Sequence, residues 1–258
     1  MKLLKFKSFI FLMLLFCCIG NTFSQSVRFS FEKYISASGD TLRYRQLFPD
    51  ADTLRKYPLV VFLHGSGERG KDNEAQLKWG VSNFATDQIM KSHPAFIIAP
   101  QCPENISWSN FSREKKGTQM FLQPSPTKPM ELLIALIIKL VKTLPIDSNR
   151  IYITGLSMGG FGTFDAIERY PNLFAAAVPV CGGGDVTKAP IISHIPIWIF
   201  HGAEDPAVSP ILSLDMINAL TKNGAHPGFT QYPEVGHFSW LAAYTDQLMI
   251  DWLFRQHK

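Results

Sequence analysis

Ser157 lies in Gly155-Leu156-Ser157-Met158-Gly159, directly after the apolar run Ile151-Tyr152-Ile153-Thr154 and before a helix-like segment at 161–167. A strand, a sharp turn carrying a serine between glycines, and a helix form the context of a nucleophile elbow. The pentapeptide alone is a weak signal. A serine hydroxyl is a poor nucleophile until a base takes its proton, and the base needs a carboxylate to hold its tautomer and stabilise its cation. Two later positions meet that demand. Asp205 follows the strand-like run 197–200, and His237 follows the strand-like run 229–232. Serine, acid and base in that chain order, each just beyond a strand, predict acyl-transfer chemistry. Glu204 and Asp185 are rival carboxylates, and His201, at a strand end, reads as a structural hydrogen-bonding residue.

An acyl-transfer intermediate carries a developing oxyanion and needs two aimed N–H donors. The backbone of Met158, next to the nucleophile at a helix N-terminus, supplies one. The other is expected from the loop His64-Gly65-Ser66-Gly67 after the apolar run 59–63, with Ser66 favoured over Gly65. The same loop, Gly65-Ser66-Gly67-Glu68-Arg69-Gly70, matches a dinucleotide fingerprint. Against that reading, the next residues are polar where a packed helix should begin. Glu68 would also repel a pyrophosphate, and the next strand lacks an acidic residue for a ribose. Trp108 and Trp240 are candidate pocket walls, with core packing as the alternative, whereas Trp198 reads as core. No His-x-x-x-His, Cys-x-x-Cys or carboxylate cluster marks a metal site, and no cofactor is expected.

The elements that must position these residues follow from periodicity. An opening hairpin is expected over 27–48, turning at Ser38-Gly39-Asp40, and strands at 59–63, 95–99, 150–154, 175–180, 197–200 and 229–232. Helices are expected over 130–144, with Pro129 in the first turn, from Ser209-Pro210 to Asn223-Gly224, and over 241–255. Residues 117–127 read as a long irregular loop bordering the site. Apolar runs alternating with helices predict an α/β fold, a mostly parallel, doubly wound sheet of about eight strands.

Lys2, Lys5 and Lys7 precede an apolar stretch at 8–18 that is short for a bilayer span, and Thr22-Phe23-Ser24 supplies small residues for cleavage before Gln25. Residues 1–24 are therefore expected to be a signal peptide, and 25–258 a single catalytic domain with no stable membrane span. Bulky Phe16 before Cys17, and Cys17 before Cys18 where a small residue is expected, disfavour lipidation. Removing the leader takes away three lysines and no acid, so the 25 Lys and Arg fall to 22 against 21 Asp and Glu. No basic patch then remains for nucleic acid. Cys102 and Cys181 are left either to oxidise to a disulfide after export or to stay as small buried thiols.

Six segments carry a family resemblance. They are Val60-Val61-Phe62-Leu63-His64-Gly65-Ser66-Gly67-Glu68-Arg69-Gly70, Ala99-Pro100-Gln101-Cys102-Pro103, Arg150 through Gly160, Val180-Cys181-Gly182-Gly183-Gly184-Asp185, Trp198-Ile199-Phe200-His201-Gly202 with Asp205, and Gly236-His237 with Trp240. The chain resembles the α/β-hydrolase superfamily. Within it, the chain is similar to a secreted esterase and "predicted peptidase" group related to feruloyl esterases and to the prolyl oligopeptidase catalytic domain. The resemblance implies Ser157, Asp205 and His237 as a triad, and matches Trp108 to a tryptophan usual after the Pro-Gln-Cys-Pro segment. It implies an exported serine esterase acting on small esters or oligosaccharide esters, with feruloyl or acetyl groups on plant polysaccharide favoured. A serine peptidase on short peptides and a non-catalytic binding module on the same fold are the alternatives.

Overall fold

The computed structural model describes residues 28–49, 54–113 and 119–258. The expected leader at 1–24 and the domain start at 25 lie outside the described residues. Eight strands form one sheet: β1 (Ser30–Ile35), β2 (Thr41–Leu47), β3 (Tyr57–Leu63), β4 (Phe96–Pro100), β7 (Ile146–Leu156), β8 (Ala176–Val180), β9 (Trp198–Gly202) and β10 (Gly228–Tyr232). Two short strands, β5 (Phe111–Arg113) and β6 (Met120–Leu122), pair separately. The order across the sheet is β1-β2-β4-β3-β7-β8-β9-β10. β1 and β2 form the expected antiparallel hairpin, β2 runs antiparallel to β4, and every other neighbour pair is parallel.

Alternation along the central strands explains why both faces are covered. Leu59, Val61 and Leu63 of β3 and Ile151 and Ile153 of β7 point into one core with α2 (Lys128–Thr143), α3 (Met158–Arg169) and α5 (Ile211–Lys222). Val60, Phe62 and Tyr152 point the other way, into a core closed by α1 (Asp87–Ser92) and α7 (Gln247–Arg255). Continuously apolar strands are what burial on two faces demands. α2 starts at Thr127, whose hydroxyl accepts from Met130 N, with Pro129 in its first turn. It buries Leu132, Leu133, Leu136, Ile137 and Leu140, each contributing about 1.5–3 kcal/mol. α3 lies so close to the sheet that a Cβ at Gly159 would sit 2.0 Å from the Leu63 carbonyl oxygen. Glycine there lets the helix that begins next to Ser157 rest on β3.

Three local expectations need correction. The stretch 117–127 is not wholly irregular, because Met120–Leu122 pairs with Phe111–Arg113. Carboxylates hold this hairpin: Asn110 N donates to Asp165 Oδ2 at 2.8 Å, and Leu122 N to Asp185 Oδ2 at 2.9 Å. The expected helix 241–255 is two pieces, α6 (Trp240–Ala243) and α7. The Thr245 hydroxyl bonds back to the Leu241 and Ala242 carbonyls, and Asp246 starts a new helix by accepting from Leu248 N and Met249 N. At α5 the Ser209 side chain makes no cap, although Gly224 closes the helix at φ 80° as expected. α4 (Ala189–Ile192) completes the set.

Candidate active site

The elbow forms where β7 ends. Ser157 adopts φ 53° and ψ −115°, a conformation that costs a non-glycine residue about 1–3 kcal/mol. Two backbone bonds hold it: Ser157 N donates to Val180 O at 2.9 Å, and Phe161 N donates to Ser157 O at 3.1 Å. The next strand end is shaped to match, with Cys181 at φ 41° and its N–H on Phe200 O.

Asp205 lies three residues beyond β9 and His237 five beyond β10, so all three side chains emerge at carboxyl ends of parallel strands. His237 Nδ1 donates to Asp205 Oδ2 at 2.7 Å, and His237 Nε2 lies 3.0 Å from Ser157 Oγ. The other carboxylate oxygen of Asp205 accepts from Ala207 N and Val208 N, both at 2.9 Å. Burial pushes the Asp205 carboxyl upward, but the bonds from His237, Val208 and Ala207 outweigh it and hold the group below the usual carboxylate range. It therefore stays ionised beside the imidazole. Glu204 is exposed, and Asp185 is committed to Thr187 and Leu122, so neither rival carboxylate reaches the histidine. His201 is fully buried between Ser213 Oγ and the Val208 carbonyl, the structural role its position suggested.

The glycine loop packs directly beside the elbow. A Cβ on Gly65 would come within 2.8 Å of Leu156 Cδ1, the side chain preceding Ser157. Ser66–Glu68 forms a single 3-10 turn with Ser66 exposed, and Met158 begins α3, so its N–H has no carbonyl within the helix to meet. The loop is anchored from below. Gly70 N donates to Cys102 O, Gln101 Nε2 donates to Glu68 O, and Arg69 Nε donates to Ile106 O at 2.6 Å. His64 receives the Cys102 N–H at its Nε2, 2.9 Å away. The Pro-Gln-Cys segment thus braces this loop.

The two candidate pocket tryptophans take the packing alternative. Trp108 has no exposed surface; its indole N–H donates to His64 O, its ring meets His64 edge-on, and Gly162 of α3 packs on it. It is a pillar under the glycine loop, not a pocket wall. Trp240 is 4% exposed and meets the His237 ring edge-on at 5.1 Å, so it backs the histidine. The aromatic side chains that do reach the surface here are Phe238 and the half-buried Trp79, which touch each other. The sequence reading missed Trp79 because it lies in a polar stretch with no strand or helix period.

Cys102 and Cys181 are both buried free thiols, so no bridge joins them. Burial pushes each thiol up to about 12. Cys181, Asp205 and His237 bring potential ligand atoms within 4.8 Å of one another among the described residues. A thiol held protonated is a poor metal ligand, and the other two groups are already bonded to each other. No helix among the described residues is long and apolar enough to cross a membrane.

The sequence profile of the phospholipase/carboxylesterase family matches residues 50–246. The chain belongs to that family, within the α/β-hydrolase superfamily. A bifunctional acetylxylan esterase/xylanase of Neocallimastix patriciarum is 32% identical over 168 residues, 64% of this chain and 21% of that protein. A solved thermostable esterase is 42% identical with a TM-score of 0.83, covering 90% of this chain and 64% of that one. The chain thus spans about a fifth of the first relative and just under two thirds of the second. A ferulic acid esterase structure, 16% identical with a TM-score of 0.66 over 88% of this chain and 98% of that one, shares the fold.

Proposed function

We propose that this chain is an exported, cofactor-independent serine esterase that removes acyl groups, acetyl or feruloyl, from plant polysaccharide. The observation that carries the reading is the unbroken relay from Asp205 Oδ2 through His237 to Ser157 Oγ, with links of 2.7 and 3.0 Å. His237 Nε2 takes the Ser157 proton as Oγ bonds to the ester carbonyl carbon. The N–H groups of Met158 and Ser66 receive the resulting oxyanion. The imidazolium, stabilised by ionised Asp205, then protonates the leaving alcohol as the C–O bond breaks. Water, deprotonated by the same imidazole, attacks the acyl-enzyme and frees the acid and Ser157. Polysaccharide esters are favoured because the acetylxylan esterase/xylanase relative is named for such a substrate.

The test is a substrate panel on purified protein with a Ser157→Ala control. The expected outcome is release of acetate from acetylated xylan or of ferulate from methyl ferulate, abolished by the substitution. Turnover of a short peptide amide but of no ester would overturn the reading in favour of a peptidase. Export is read by N-terminal sequencing of the mature protein, which should begin at Gln25.

A further inference from the structure

We propose that Trp79 and Phe238 form the platform on which the leaving alcohol of the substrate rests, and that the alcohol is a pyranose ring. The inference rests on the esterase reading above. In that chemistry His237 Nε2 must protonate the departing oxygen, so the alcohol part of the substrate lies on the histidine side of Ser157. The side chains on that side are aromatic. The His237 ring meets Trp240 at 5.1 Å, Trp240 meets Trp79 at 6.4 Å and Phe238 at 4.8 Å, and Trp79 meets Phe238 at 6.1 Å. Of the three, Trp240 is buried, whereas Phe238 is 55% exposed and Trp79 is partly exposed. The cluster therefore has a closed end against the base and an open end toward solvent.

The Trp79 side chain lies beside the Glu68 carboxylate, and Glu68 belongs to the same 3-10 turn as Ser66. The ring thus sits between the glycine loop and the residue following His237. A large, partly exposed aromatic side chain offers an apolar face. The C–H face of a pyranose matches such a surface. The Lys78 ammonium lies over one face of the Trp79 ring, 5.0 Å from its centroid, as a donor for the sugar hydroxyls. A methyl or ethyl alcohol is too small to cover the two rings.

The experiment compares acetylated xylo-oligosaccharide with methyl acetate for wild type, Trp79→Ala, Trp79→Phe and Phe238→Ala. The quantity read is the ratio of kcat/KM for the sugar ester over that for methyl acetate. The ratio should fall about tenfold in Trp79→Ala, mainly through KM, fall less in Phe238→Ala, and return toward wild type in Trp79→Phe. An unchanged ratio, or equal losses on both esters, overturns the proposal. Binding separates it from the esterase reading. Calorimetry of xylohexaose with Ser157→Ala protein should show an interaction that Ser157→Ala/Trp79→Ala loses. Ester turnover without such binding sinks the platform alone. Binding without any ester turnover sinks the esterase reading and leaves the platform standing.

Discussion

His64 offers a quantitative test of how the glycine loop is held. It is 1% exposed, accepts the Cys102 N–H at Nε2, and donates from Nδ1 to the Gly65 carbonyl at 2.6 Å. Both bonds require a neutral ring with its proton on Nδ1. Burial holds the folded-state pKa down to about 4 from 6.5. Between those values the unfolded chain binds a proton that the folded chain refuses. The stabilisation is therefore complete above pH 6.5 and is lost as pH falls toward 4. At about 1.4 kcal/mol per pH unit the loss amounts to about 3 kcal/mol. Replacing the ring by Gln, which keeps an acceptor and a donor but does not titrate, removes this dependence. Urea unfolding at pH steps from 8 to 4.5 measures it. Wild type should lose about 3 kcal/mol more than His64→Gln over that interval, with the curves parallel above pH 7. Parallel curves down to pH 4.5 would refute the reasoning.

Other perturbations separate the remaining parts. Asp205→Asn keeps the shape of the acid but not its charge, and should lower kcat on an activated ester by about 10^4-fold with an unchanged circular dichroism spectrum. Gly159→Ala drives a methyl group into the Leu63 carbonyl; thermal melting should show a loss of about 3 kcal/mol, whereas Gly67→Ala, with nothing within 4 Å, stays within about 0.5 kcal/mol. Glu168 is buried at the end of α3 with one carboxylate oxygen unpartnered, and burial raises its pKa well above the ordinary value. Its neutral form is the one the fold favours, so stability is full below about pH 4.5 and declines as pH rises. The Tm of Glu168→Gln should exceed that of wild type by a margin that widens from pH 5 to pH 9.

The parts of the site that are short-range in sequence were legible, and the parts built by packing were not. The elbow could be read because strand, turn and helix are contiguous around Ser157. Asp205 and His237 could be read because a parallel sheet delivers the residues after its strands to one edge. The hydrogen bonds now join them at 2.7 and 3.0 Å. Trp108 stood open between pocket and core because its chemistry suits both, and only the tertiary contact with His64 and Gly162 places it underneath the loop. Trp79 went unread because its partners, Glu68 and Phe238, stand 11 residues before it and 159 after it in the numbering. The break between α6 and α7 was hidden because the apolar period continues across Thr245 and Asp246, whose side chains take the backbone bonds a helix needs.

The central claim is that the strained Ser157 is a nucleophile made reactive by its bonded histidine. Stoichiometric labelling with a fluorophosphonate, read by mass spectrometry of the peptide containing residue 157, tests it most directly. The account predicts one adduct per chain on Ser157 in folded protein, about 10^3-fold slower labelling in His237→Ala, and none after heat denaturation. Labelling of another residue, or esterase activity that survives in Ser157→Ala, would contradict it.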